Sequence, residues 1–125
     1  MKTMQDYTIY CTEEQAKRAY KLGAPIKVTP IEDESTPSVT IEENGLYGLF
    51  IIPTVEQMCG WLREKGLFVY AFPFYGDMGE QYIGEVDELI ISGLVCMRSI
   101  ETETYPQAIL AAIDAALDYL EKKGE

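Results

Sequence analysis

Histidine is absent from this chain. That removes the commonest general base near neutral pH and the commonest metal-ligating side chain. Catalysis would have to rest on carboxylates, thiols, tyrosines, lysines or a bound cofactor, and papain-type thiol chemistry, which needs a histidine partner, is excluded. Cysteine is scarce: Cys11, Cys59 and Cys96 are the only three, and no two are close in sequence. Without a CxxC, neither a dithiol redox pair nor a zinc knuckle is signalled. Basic residues are also few. Ten lysines and arginines face twenty-one acids, a net charge of −11. Such a balance keeps a protein soluble and repels phosphates, so direct nucleic-acid binding is not expected. It leaves room for a basic partner, or for an acidic surface that mimics DNA. No apolar run approaches the roughly 18 residues of a membrane span. Met1 to Tyr10 lacks the apolar centre of a signal peptide, so a cytoplasmic protein with reduced thiols is expected. Gly76, Gly79, Gly84 and Gly93 fit neither GxxxxGK(S/T) nor GxGxxG and read as turn formers.

What the chain does hold is enough apolar material for a core. It has 125 residues, 47% of them hydrophobic and 25% charged, which is ordinary for one globular domain spanning residues 1–125. Asp6 to Tyr10 alternates like a short strand. Thr12 and Gln15 form a capping box opening a helix from Glu13 to Leu22, with Gly23 as its stop and Ala16, Ala19 and Tyr20 as a thin buried stripe. Ile26 to Thr29 is β-prone. Residues 30–38, with Glu32, Asp33 and Glu34 between Pro30 and Pro37, read as an exposed acidic loop. Asn44-Gly45 between two apolar-rich runs signals a hairpin.

The stretch from Ile52 to Tyr75 organises the rest. Thr54 and Gln57 repeat the capping-box spacing, and Val55, Met58, Cys59 and Leu62 recur at helical intervals beside Trp61, until Gly66 ends the helix. Leu67 to Tyr75 reads as a strand. Its period of two puts Phe68, Tyr70, Phe72 and Phe74 on one face and Leu67, Val69 and Ala71 on the other. Pro73 belongs at an edge, a bulge or the strand's end. Gln81 to Val86 is the return strand, Asp87-Glu88 interrupts the pattern, Ser92-Gly93 turns, and Leu94 to Ile100 is a further strand. Pro106 fits the first turn of a last helix whose stripe is Ile109, Ala112, Ile113, Ala116, Leu117 and Leu120. The expected fold is therefore α+β: a small, mainly antiparallel meander with two or three helices packed on it.

Three segments carry a resemblance: Tyr10-Cys11-Thr12-Glu13-Glu14-Gln15, the run from Pro53 to Leu62, and Tyr105-Pro106 leading into Ala111 to Leu117. With these the chain resembles small uncharacterised proteins of gut Bacteroidales, often encoded beside prophage or other mobile-element genes. The resemblance implies a compact intracellular domain and carries over no activity and no site residue.

Each chemical candidate has an ordinary counterpart. Glu80, Glu85, Asp87 and Glu88 could supply an acid–base pair or hold a divalent cation, yet they match no calcium loop and equally fit solvated strand ends. Cys59 lies on a core stripe and reads as a small hydrophobe. Cys11, just before a helix start, is the better thiolate candidate. Tyr70, Phe72, Phe74, Tyr75 and Tyr82, with Trp61, fit a packed core or a partly exposed surface for binding or dimerisation. No catalytic residue, metal ligand or cofactor is assigned. Three readings stay open: a non-enzymatic binding or accessory protein of a mobile element, a carboxylate-based enzyme or small-molecule binder with a cleft near residues 75–88, and a DNA-mimic inhibitor.

Overall fold

The computed structural model describes residues 8–29, 36–77 and 79–124. The element order is α1 (Glu13–Lys21), β1 (Ser38–Glu43), β2 (Leu46–Ile51), α2 (Val55–Glu64), β3 (Leu67–Gly76), β4 (Gly79–Ile90), β5 (Gly93–Thr102) and α3 (Tyr105–Lys123). The strands form two antiparallel sheets, β1-β2 and β3-β4-β5, so the protein is α+β as its sequence predicts. By its internal contacts the chain divides into two compact units, Met1–Glu56 and Gln57–Glu125.

In the first unit, the Thr12 side chain accepts from the Gln15 backbone N–H and Gln15 Oε1 accepts from the Thr12 N–H, both at 3.1 Å. This capping box satisfies two amides that the first helical turn leaves without partners. α1 is capped at Leu22 and followed by Gly23, whose φ of +97° suits glycine. Ala16 and Ala19 are buried, and Tyr20 tilts over Phe50 with ring centroids 4.7 Å apart. Asn44 and Gly45, at φ +55° and +82°, form the two-residue hairpin turn between β1 and β2. Lys27 to Thr29 joins the other side of β2: Thr29 N–H donates to Leu49 O and Lys27 O accepts from Ile51 N–H, both at 2.8 Å. Of the expected first strand, Asp6 and Tyr7 lie outside the described residues, while Tyr10 bridges Thr54. Residues 30–35 of the expected loop also lie outside them, and Ser38 already belongs to β1.

α2 carries a buried stripe of Val55, Met58, Cys59, Trp61 and Leu62, as its periodicity predicts. In the second unit, β3, β4 and β5 form the predicted meander with β4 in the middle. Pro73 sits within β3, an edge strand of the three-stranded sheet and so one of the placements open to proline. α3 packs across all three strands and buries Ala108, Ile109, Ala112, Ile113, Ala116 and Leu117. Thr104 caps it, accepting from the Gln107 N–H at 3.3 Å.

Two expectations need correcting here. Gly84 is not a turn former: it lies in mid-strand on β4, and a β-carbon there would come within 2.1 Å of the Ala108 carbonyl oxygen. Its missing side chain lets α3 lie directly on the sheet. Asp87-Glu88 does not interrupt the strand either, since β4 runs unbroken through both to Ile90. Each carboxylate has a tyrosine partner. Tyr70 serves Asp87 and Tyr119 serves Glu88, each O···O distance being 2.6 Å. The turn that follows is Ile91-Ser92.

Candidate functional site

Residues paired across a ladder share a face of the sheet. Gly84 abuts α3, so Ala71, Gly84 and Ile100, paired with one another, mark the helix-covered face. On the opposite face stand Phe68, Tyr70, Phe72 and Phe74 from β3, and Ile83, Glu85 and Asp87 from β4. Of the five aromatics singled out in the sequence, Tyr70, Phe72 and Phe74 therefore share this second face. The Tyr70 and Phe72 rings stack with centroids 5.9 Å apart. Tyr75 and Tyr82 belong to the helix-covered face. Tyr82 packs edge-on against Tyr105 at 6.2 Å, and Tyr75, at the end of β3, is 84% exposed. The core contributes Trp61 instead, which is buried in α2.

Four polar groups converge on the second face. Tyr70 Oη lies 2.5 Å from Glu85 Oε2 and 2.6 Å from Asp87 Oδ2. Cys96 Sγ joins the two carboxylates: one ligand-capable atom from each of Glu85, Asp87 and Cys96 lies within 4.8 Å of the others. Asp87 is only 6% exposed, and its Oδ1 has no hydrogen-bond partner among the described residues. A phenol carries one hydrogen, so Tyr70 donates to one carboxylate at a time. The second short contact calls for another proton or a cation. The electrostatics agree. Partial burial and the hydrogen bonds to Asp87 and Glu85 push the Tyr70 phenol far above its ordinary pKa. The hydrogen bond with Asp87 raises the Glu85 carboxyl, with Tyr70 pulling the other way.

The backbone explains how Cys96 reaches this group. The β4–β5 register slips between Val86 and Asp87: Val86 pairs with Arg98 but Asp87 pairs with Cys96. Met97 is the extra residue of a β-bulge. In a regular ladder Met97 would oppose Asp87, and Cys96 would oppose Glu88 and turn to the helix side. The acids were visible in the sequence, where strand alternation puts Glu85 and Asp87 on one face. The bulge has no local sequence signal, so the sequence alone does not bring Cys96 to them. Glu80 and Glu88, weighed with those acids, belong to the helix side of β4.

The other thiols are structural in character. Cys59 is buried, and burial raises its pKa to about 11 despite nearby Arg63. Cys11 is also buried, with its Sγ donating to Thr54 O at 3.8 Å. An enclosed helix-start thiol of this kind is not the accessible nucleophile that its position suggested.

Two further features mark the surface of the described residues. In the first unit a shallow groove of about 200 Å³ is lined by Tyr20, Ile41, Leu46, Tyr47 and Phe50 among others, smaller than the usual ligand pocket of about 300–1,000 Å³. In the second unit the β4–β5 hairpin exposes Leu89, Ile90, Ile91, Leu94, Val95 and Met97. No helix among the described residues is long and apolar enough to cross a membrane. Comparison of the chain with known protein families, with curated proteins and with solved structures finds no match.

Proposed function

We propose that the protein is a non-enzymatic binding protein that engages a partner through the tip and outer edge of the β4–β5 hairpin. The observation that carries this reading is the concentration of exposed aliphatic side chains between Leu89 and Met97, with Ile91 fully in solvent. That nine-residue run contains no charged residue in a chain of net charge −11. Scattered exposed apolar residues are normal, but a contiguous patch points to an interaction surface. β5 is an edge strand, so its outer backbone groups are available for strand addition. The patch also adjoins the sheet face of Tyr70, Phe72 and Phe74, which continues along the ladder to the paired Leu89 and Leu94.

The occupant is an extended apolar segment with basic flanks. A second copy of this chain would bring another −11 to the contact, whereas a basic partner gains from the acids around the patch. An accessory role in a prophage or other mobile element is part of the same proposal. The test is fluorescence anisotropy with a labelled β-prone peptide flanked by lysines, and with the same core flanked by glutamates. The lysine form should bind, more weakly as salt rises, and Ile91→Asp should lower its affinity at least tenfold. No binding of that peptide, or equal binding by Ile91→Asp, overturns the reading. A stable dimer in sedimentation at micromolar concentration would make a second copy the occupant and overturn it as well.

A further inference from the structure

We propose that Glu85, Asp87 and Cys96 form a binding site for one zinc ion. The three side chains come from neighbouring strands and already bring their donor atoms within 4.8 Å of one another. Acids clustered on a sheet are commonplace, and three further observations separate this group from such clusters. Asp87 is buried with Oδ1 lacking a hydrogen-bond partner among the described residues, and a buried carboxylate oxygen is costly unless a donor or cation meets it. Tyr70 has one hydrogen for two carboxylate oxygens at 2.5 and 2.6 Å, so the group has a place for one further proton or for a cation that displaces it. The bulge at Met97 brings a thiol, and not the methionine, opposite Asp87; bulges commonly re-aim one side chain in this way.

The donor set selects the metal. Thiolate together with carboxylate favours zinc over magnesium and calcium, which take oxygen alone. Tetrahedral zinc, with bonds of about 2.3 Å to sulfur and 2.0–2.2 Å to oxygen, holds its ligand atoms roughly 3.3–3.8 Å apart. The group therefore contracts by up to about 1.5 Å on binding. Cys96 is exposed on an edge strand and has the freedom to supply most of that movement. Binding forms a zinc–sulfur bond and releases the thiol proton to solvent. Tyr70 keeps its proton and orients a ligating carboxylate. A water completes the four-coordinate shell.

This inference does not rest on the docking reading and needs no partner, although Cys96 lies within the Leu89–Met97 run. The test is titration of the metal-free full chain with Zn²⁺ by calorimetry, and with Co²⁺ by absorption spectroscopy. One zinc per chain is expected, and the cobalt form should show a thiolate-to-cobalt charge-transfer band. Cys96→Ser should remove that band and weaken zinc at least tenfold; because Cys96 is exposed, this variant keeps its fold. Glu85→Gln should weaken zinc likewise, while Glu43→Gln and Ile91→Asp should leave it unchanged. A cobalt spectrum without a thiolate band overturns the proposal. So does equal zinc affinity in Cys96→Ser and wild type, or tighter binding of Ca²⁺ or Mg²⁺ than of zinc.

Discussion

Gly84 and Ala108 meet at a distance that leaves no room for a side chain: a β-carbon on Gly84 would sit 2.1 Å from the Ala108 carbonyl oxygen. Backbone cannot move aside as a flexible side chain can. Gly84→Ala should therefore lift α3 off β4 and cost about 3 kcal/mol or more, at the upper end for overpacked cores. Gly60, in α2, is the control: nothing lies within 4 Å of its missing β-carbon. Gly60→Ala should be neutral or stabilise by up to about 1 kcal/mol through helix propensity. Urea unfolding of both variants checks the contrast.

The thiols should separate by reactivity. Cys96 is exposed, whereas Cys11 and Cys59 are buried. A thiol reagent such as Ellman's should therefore label one cysteine quickly in metal-free protein, and the other two only on unfolding. Cys96→Ser should abolish the fast phase. A fast phase that survives this change would contradict the burial of the other two.

Alkaline pH should destabilise the fold. Burial raises Cys59 from the usual 9.0 to about 11, with Arg63 opposing. Partial burial and hydrogen bonds to Asp87 and Glu85 raise Tyr70, and the hydrogen bond to Glu88 raises Tyr119. Each group holds its proton more tightly folded than unfolded. The stabilisation is complete below the unfolded values and is lost as pH rises through the folded ones. For Cys59 the window runs from 9.0 to about 11. The urea midpoint should fall across that window, and Tyr119→Phe should make the fall shallower. A flat midpoint in the wild type would be inconsistent with these shifts.

Charge at the hairpin tip should cost little stability. Ile91 is 108% exposed relative to a reference residue, so Ile91→Asp removes no buried area and should change stability by less than about 0.5 kcal/mol. Peptide binding should fall all the same. A large loss of stability would mean that the tip is part of the core.

The cap of α3 can be tested directly. Thr104 accepts from the Gln107 N–H at 3.3 Å. Thr104→Ala should cost about 1 kcal/mol, while Thr104→Ser should cost less because serine caps equally well. Thermal unfolding of the two variants measures the difference.

Most of the fold was legible because it rests on local signals. Thr12 with Gln15, Asn44-Gly45, the stripe through Leu62 and the alternation from Phe68 to Phe74 each depend on near neighbours, and the structure follows them. Thr104-x-x-Gln107 carries the same cap spacing, with Pro106 as a second start signal inside it. The readings at Asp87-Glu88 and Gly84 went astray for another reason. Acids in mid-strand look like a break until Tyr70 and Tyr119, 17 and 31 residues distant, supply hydroxyls. A mid-strand glycine looks like a turn until a helix from later in the chain lies on it. The candidate site was half legible: period two groups Glu85 with Asp87, but Cys96 reaches them through a register slip that belongs to strand pairing and not to any one segment.

The uncharged tip has a colloidal consequence. Ile91 stands three residues beyond Glu88, about 10 Å along an extended chain. At physiological ionic strength counter-ions confine each charge's reach to about 8 Å. The sticky end of the hairpin thus sits at the fringe of the repulsive atmosphere that holds neighbouring molecules apart, where that repulsion is weakened but still felt. Added salt, by thinning that atmosphere further, should favour clustering at the tip well before it disturbs the fold.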